Sequence, residues 1–357
     1  MLNIQIIQDK EDWNAILNNH FTQSNDVYFS FEYFELYSKS YDVQPEGLFW
    51  EDNNVSIFWT HLKRALNKLK NFKEMNCYDL ITPYGYGGPL ITIKTSNELK
   101  IRKSIKDFFD EYTKFALENM YVSEFVRFHP LLKNWIYFND VIKTIYVNDV
   151  VFIDLNKEWD EIWTDLSKTT KRYIRKAQNE FSTVYIKEKP EEEEILSFFS
   201  LYNQTMKIQN ASSKYFFDLK FIKNHFNFNN ILVYCSNNEN IVGASAIMLR
   251  SKNFMHYHLG STNYEFKSSP LRAVLWHSVR WAKENGCKIF HFGGGRGEND
   301  SLYNFKKGFS NDISPFHIGK IIFNQDYYDK LNSLNPYKEE IKEYFPSYRL
   351  GFDNTIV

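Results

Sequence analysis

The 357-residue sequence predicts an α/β protein of α+β character, built from two copies of one unit. Three observations predict this. Positions 187 apart match one another, each half runs through the same order of elements, and no Pro/Gly/Ser linker separates the halves. Repeats are the first thing to seek in a chain long enough for two domains. A shift of 187 lays Tyr28 and Phe29 on Tyr215 and Phe216, Phe34 on Phe221, Asn53 on Asn240 and Val55 on Val242. Five identities in an aromatic- and Asn-rich chain are weak, and the shared order of elements carries the inference.

The N-terminal stretch MLNIQIIQDKEDW reads as a strand and a polar turn. An aromatic-rich helical stretch follows at 29–39, matched by 216–226. An apolar run comes next, at 47–50 and at 231–235. Asn/Asp-rich turns at 52–54 and 237–240 then lead into second apolar runs ending in Arg64 and Arg250. Two β-rich runs joined by such a turn make a hairpin. A glycine-bearing loop follows in each copy, at 84–88 and at Gly260.

Next come a helix (98–120; 270–285) and a strand (123–129; 288–292). Pro270 suits the first turn of its helix and Gly286 the C-terminal cap. Leu271, Val274, Leu275, Ser278, Val279 and Ala282 recur at helical spacing and give one buried face. Between the copies, 159–181 is helical in pattern, and Glu191–Glu194 open the following helix, where acidic groups favour the dipole. The tail after 323 is too aromatic for disorder and is expected to dock on the first half.

Composition narrows the function. With 43% hydrophobic and 24% charged residues the chain is an ordinary globular protein. Its 32 Phe and 24 Tyr supply a large core. A net charge of −1 lacks the basic excess of a non-specific nucleic-acid binder, so DNA is not expected as a partner. Cys77, Cys235 and Cys287 are scattered and form no CxxC pair, which supports neither a disulfide framework nor a zinc ribbon. No signal peptide and no membrane-spanning apolar run is present, so a cytoplasmic protein is expected.

The chemistry is expected near HFGGGRGENDSLYNFKKGF, residues 291–309. Gly293, Gly294 and Gly295 allow positive φ and bring backbone N–H groups close to a ligand. The helix start that follows adds partial positive charge, and Arg296, Lys306 and Lys307 add cations. Phosphate or a developing oxyanion fits this description. The stretch is neither a P-loop nor GxGxxG. His256, His258 and His291 invite a metal reading, but no ligand spacing supports one, so no metal is expected.

No GxSxG elbow or cysteine nucleophile appears, which favours direct attack by a substrate amine. Lys168, Lys171, Arg172, Arg175 and Lys176 form a basic helical stretch, either a solvated face or a contact for an anionic substrate. Arg127 and His129 occupy the matching strand of the first half.

These residues resemble a family. Tyr257-His258-Leu259-Gly260-Ser261, a helix ending WAKENG, then FHFGGG and FKKGF, with YGYGGP in the first half, look like the Fem transferases. These are the peptidoglycan-bridge aminoacyltransferases of the GNAT superfamily. The resemblance implies two tandem GNAT-like domains, each a mixed sheet flanked by helices, facing across a cleft. Their bounds would be 1–148 with 324–357, and 149–323.

It also implies acyl transfer to an amine with no covalent enzyme intermediate and no bound cofactor. The donor, aminoacyl-tRNA or acyl-CoA, is a co-substrate. The acceptor is a cell-envelope or amino-sugar precursor, a small molecule or sugar nucleotide, with the acceptor end of tRNA as a further partner. By the same resemblance Lys306 stands at the reaction centre and Tyr257 in the cleft. Lys39 holds acceptor phosphates. Arg175, from the basic stretch, and Tyr303, Arg296, Gly293, Gly294 and Gly295, from the glycine loop and the helix after it, are the further candidate substrate contacts.

Two features depart from the family. The 159–181 segment is too short for a coiled-coil arm, and the pyrophosphate loop Arg/Gln-x-x-Gly-x-Gly/Ala of acetyl-CoA enzymes is missing. An acyl-CoA-dependent acetyltransferase of surface-polysaccharide synthesis and a non-catalytic GNAT-like binding module are the alternatives.

Overall fold

The computed structural model describes residues 3–181, 183–295, 297, 300–337 and 344–352. Two compact units divide the chain: Met1–Val147 with Phe316–Val357, and Asn148–Pro315. The chain begins β1 (Gln5–Ile7), α1 (Lys10–His20), α2 (Phe31–Ser38), β2 (Gln44–Glu51), β3 (Val55–Ala65) and β4 (Tyr78–Ile81). Then come β5 (Gly88–Ile93), α3 (Glu98–Glu118), β6 (Tyr121–Arg127), α4 (Trp135–Phe138) and β7 (Thr144–Asp154). Next are α5 (Trp159–Asp165), α6 (Lys168–Glu180), β8 (Thr183–Lys187), α7 (Glu192–Ile208), α8 (Leu219–Asn224) and β9 (Ile231–Ser236). The last are β10 (Val242–Arg250), β11 (Phe254–Thr262), α9 (Pro270–Glu284), β12 (Ile289–Gly294), α10 (Ser301–Lys307), β13 (Ile313–Ile322) and α11 (Gln325–Leu334).

Each unit holds a mixed sheet. In the first, β2 pairs β3 and β3 pairs β4 antiparallel, and β4 pairs β6 parallel across α3. In the second, β9, β10, β11 and β12 repeat that pattern across α9. The matching topology is what a duplication requires. The 187-residue shift carries the start of β2 to within a few residues of the start of β9, and Val55 of β3 onto Val242 of β10. The offset then shrinks, because residues 66–77 of the first unit hold two 3-10 turns where the second has a tight turn at 251–253. Each sheet is extended by a strand that spans the boundary of the units. Residues 150–154 of β7 pair with β12, and residues 318–322 of β13 pair with β6.

Helix ends follow the local chemistry. Asp9 caps α1, Ser30 caps α2, Asn97 caps α3, and Glu191 with Glu194 closes a capping box on α7. Side chains alternate along β9, so Ile231, Val233 and Cys235 join the core under α6 and α9 while Leu232, Tyr234 and Ser236 face α7. In the first unit, Ile105, Phe108, Tyr112 and Phe115 of α3 pack on Trp50 and Trp59 of the sheet.

That first core also encloses His61, 3.2 Å from Glu46 and 3.5 Å from Glu124. Burial alone would lower the imidazole pKa, but hydrogen bonds to Glu124 and Glu46 outweigh it and lift it to about 9. The C-terminal segment packs on the first unit, where Tyr328, Leu331 and Tyr348 join Leu66, Phe72 and Val122.

Four expectations are corrected. The first helix stops at Glu118 with Asn119 as its cap, so its strand begins at Tyr121. The 159–181 helix is two helices, because Leu166 is extended and Ser167 caps α6. The aromatic stretches 29–39 and 216–226 are not continuous helices, since Phe29 ends a 3-10 turn before α2 and Phe216 follows one before α8. Gly260 lies inside β11 rather than in a loop. A Cβ there would stand 2.1 Å from Tyr257 Oη, so glycine makes room for a ring folded back along the strand. No helix among the described residues is long and apolar enough to cross a membrane.

Candidate active site

β11 and β12 are parallel neighbours for only three rungs: Phe254 with Ile289, Met255 with Phe290 and His256 with His291. β11 then runs on to Thr262 beside β10, while β12 bends toward β7 through a bulge at Phe292–Gly293. Gly293 takes φ +78 in that bulge, a conformation that favours glycine. The two strands therefore part, leaving a fork at the C-terminal ends of a parallel pair.

Lys306 lies in the fork. Its Nζ donates to Gly294 O of β12 at 2.7 Å and stands 5.8 Å from the centre of the Tyr257 ring of β11. α10 places it there. Asp300 caps the start of that helix by accepting from Tyr303 N at 2.7 Å. At the other end, Gly308 O accepts from Ser167 N of α6 at 2.9 Å. Phe309 stacks on Phe292 in the core, so the Phe305–Phe309 turn leaves Lys306 pointing inward. Lys307 reaches Asn311 O instead.

Lys306 is 8% exposed, and burial pushes its ammonium down to about 8, with Asp300 working against that shift. Among the described residues Gly294 O is its one hydrogen-bond acceptor, and an ammonium carries three donors. A cation with spare donors, near its titration point and largely shielded from water, is suited to steadying a carbonyl oxygen as it gains charge.

The glycine loop is held from three directions. Asn148 Nδ2 donates to Gly295 O at 3.2 Å, and Lys306 holds Gly294 O. Asp300 Oδ2 accepts from Gly297 N at 3.0 Å. The absent side chains are needed for this. A Cβ on Gly294 would lie 2.9 Å from Asn148 Oδ1, and one on Gly295 would lie 2.6 Å from Asp300 Oδ1. The amides Gly297 N and Tyr303 N, at the loop and in the first turn of α10, are thus taken by Asp300.

Residues 165–307 match the model of the acetyltransferase (GNAT) domain family. No curated protein matches the chain. Among solved structures, FemX superposes with a TM-score of 0.67 over 91% of this chain and 99% of its own, at 12% identity. This chain has a FemX-like fold. L-PGS from Bacillus licheniformis gives 0.55 over 89% and 93%, also at 12% identity. A conserved protein of unknown function from Bacteroides thetaiotaomicron gives 0.54 over 90% and 100%, at 11% identity.

Within this FemX-like fold the residues singled out in the sequence are dispersed. Lys306, Tyr257, Gly293, Gly294 and Gly295 gather at the fork. Tyr303 is half-buried one turn before Lys306, its phenol pKa raised by burial and by Asp149. Arg175 is exposed on α6, its guanidinium 5.5 Å from the Trp163 ring. Lys39 belongs to the first unit, exposed beyond α2 and paired with Glu35 at 2.9 Å. Arg296 lies outside the described residues.

The basic stretch of α6 is largely engaged locally: Lys171 reaches Thr164 O and Lys176 reaches Lys267 O. In the first unit His129 bonds Asp26 at 2.9 Å, and Arg127 bonds Thr82 O at 3.0 Å. His256 and His291 share a hydrogen bond, Nδ1 to Nδ1 at 3.1 Å, at the last rung before the fork. His258 falls at the register shift between β11 and Ile247/Met248 of β10, next to His225 at 5.1 Å between rings. Asn148 and Asp300 carry no motif, and the sequence did not single them out. Asp300 directly before SLYNF is a readable helix cap.

Proposed function

We propose that this chain is an N-acyltransferase whose reaction takes place in the β11–β12 fork. The observation that carries this reading is Lys306, a nearly buried ammonium between Gly294 O and the Tyr257 ring. The GNAT domain match over 165–307 and the FemX-like fold support the same reaction class. An amine nitrogen of the acceptor attacks the acyl carbon, and the carbonyl electron pair moves onto oxygen, where the Lys306 ammonium donates. Collapse of that adduct breaks the C–O bond of an aminoacyl ester or the C–S bond of a thioester. The proton lost by nitrogen balances the one gained by the leaving group, so the enzyme ends unchanged.

Aminoacyl-tRNA or acyl-CoA is the donor, and an amine of a cell-envelope or amino-sugar precursor is the acceptor. Tyr257 orients the reacting groups, and Tyr303 lines the approach. By the resemblance to the Fem transferases, Lys39 is assigned to the phosphates of the acceptor.

The test is transfer of labelled acyl groups from a panel of aminoacyl-tRNAs and acyl-CoAs to amino-sugar and peptide acceptors. Lys306→Ala should keep its fold by circular dichroism and lose about 100- to 1,000-fold in rate, the usual loss of one oxyanion donor. The wild-type rate should fall as pH rises through about 8, where Lys306 gives up its proton. A folded Lys306→Ala protein with undiminished transfer would overturn the assignment.

A further inference from the structure

A hollow lies in the second unit, on the sheet face opposite the Tyr257 ring. Its volume is about 300 Å³, and it sits between the start of α7 and the strands β8, β9 and β10. That is at the small end of the range for pockets that take small molecules. Three features define its chemistry. Tyr185 and Tyr234 form an aromatic wall, their rings 4.8 Å apart and 18° from parallel. Glu193 and Glu194 line it, and among the described residues no Lys, Arg or His does. Ser236, 7% exposed, also lines it.

The partners of these groups decide what fits. Glu194 is committed to Lys187 at 2.8 Å, Tyr234 Oη at 2.8 Å and Glu191 N at 2.9 Å. Glu193 is exposed and forms no ion pair among the described residues, so its carboxylate is available to a cationic ligand. The hydroxyls of Ser236 and Ser197 have no hydrogen-bond partner among the described residues. Both hydroxyls are therefore open to accept from a ligand N–H. An ammonium is also attracted to the π faces of tyrosine.

We propose that this hollow binds a small primary ammonium compound, of the size of a diamine or a cationic amino acid. Glu193 neutralises the cation, the Tyr185–Tyr234 wall flanks it, and the hydroxyls of Ser197 and Ser236 accept its N–H groups. A neutral sugar could also use aromatic rings and hydroxyls, but it would gain nothing from the Glu193 charge. The site is separate from the transfer chemistry and stands whether or not Lys306 acts as argued above.

The experiment is calorimetric titration of the purified full chain at low salt with putrescine, L-lysine, 1-pentanol and N-acetylglucosamine. The amines should bind saturably and the neutral compounds should not. Glu193→Gln, at an exposed position without an ion-pair partner, should weaken amine binding about tenfold, as loss of a charge-assisted contact does. Ser197→Phe, which fills the hollow from the helix side, should abolish it. Thermal melts confirm that both variants fold. The proposal falls if wild type binds neither amine, if N-acetylglucosamine binds as well as putrescine, or if Glu193→Gln binds amines as tightly as wild type.

Discussion

Burial holds the Lys306 ammonium at about 8 against an ordinary value of 10.5, so the charged form is disfavoured in the folded protein. The shift of a lysine downward has a definite sign. The penalty is full below about 8, shrinks as pH rises toward 10.5, and is absent above it. A shift of this size corresponds to about 3 kcal/mol, of which the bond to Gly294 O returns about 1 kcal/mol. Lys306→Met should therefore raise stability by about 2 kcal/mol at pH 7. Denaturant titrations should show the gain fading by pH 10.5. A Met variant no more stable than wild type at pH 7 would mean that the cation is well compensated and carries no such cost. FKKGF shows two lysines, and only the packing of Phe305 and Phe309 tells which one turns inward. The sequence singled out Lys306 by resemblance, and its burial became visible only in three dimensions.

The fork is a property of elements. Parallel pairing ends after three rungs because β12 bulges at Gly293 while β11 stays with β10. The helix α9, with Pro270 and Gly286, was legible from local signals, and so was the hairpin β9–β10. The parting of β11 from β12 was not, since it depends on which neighbour each strand keeps. Gly260 shows the limit well. It read as a loop glycine, yet it sits in a strand to admit the Tyr257 ring. Gly260→Ala should fold, with a change in stability of about 1 kcal/mol or less, because the end of a tyrosine can swing away. That swing removes the ring from Lys306, and transfer should drop about tenfold, the size of a desolvated cation–π contact. Melting curves and initial rates measured on the same preparation separate the two effects. Unchanged rates would show that Tyr257 does not need its folded-back position.

At the scale of the whole chain, the duplication was readable because hairpin, helix and strand recur in order, although the 187-residue match itself fades beyond β10. The boundary strands β7 and β13 were not readable, because a strand's partner is set by tertiary packing and no local pattern reports it. The C-terminal segment was expected to dock on the first half by its aromatic content alone. The docking chemistry proves to be ionic as well. Asp79 of β4 is fully buried, 2.7 Å from Arg64 Nε and 2.5 Å from Arg349 Nε. Burial raises the Asp79 pKa, but the two guanidinium groups outweigh it and hold the carboxyl below its usual range. Tyr348 adds a hydrogen bond to Ser123 at 2.8 Å, and Asn335 Nδ2 donates to the carbonyls of Ser347, Tyr348 and Leu350. Removing one partner of a buried ionic group costs on the order of 3–5 kcal/mol, although Arg64 remains to share the Asp79 charge. Arg349→Ala should therefore cost about 2–4 kcal/mol in the first unit. Because the second unit has its own core under α6 and α9, the loss should stay local. Hydrogen exchange should quicken in α11, β4 and residues 344–352 while β10 and α9 keep wild-type protection. Equal acceleration in both units would show that they unfold as one and that the C-terminal segment stabilises the entire chain.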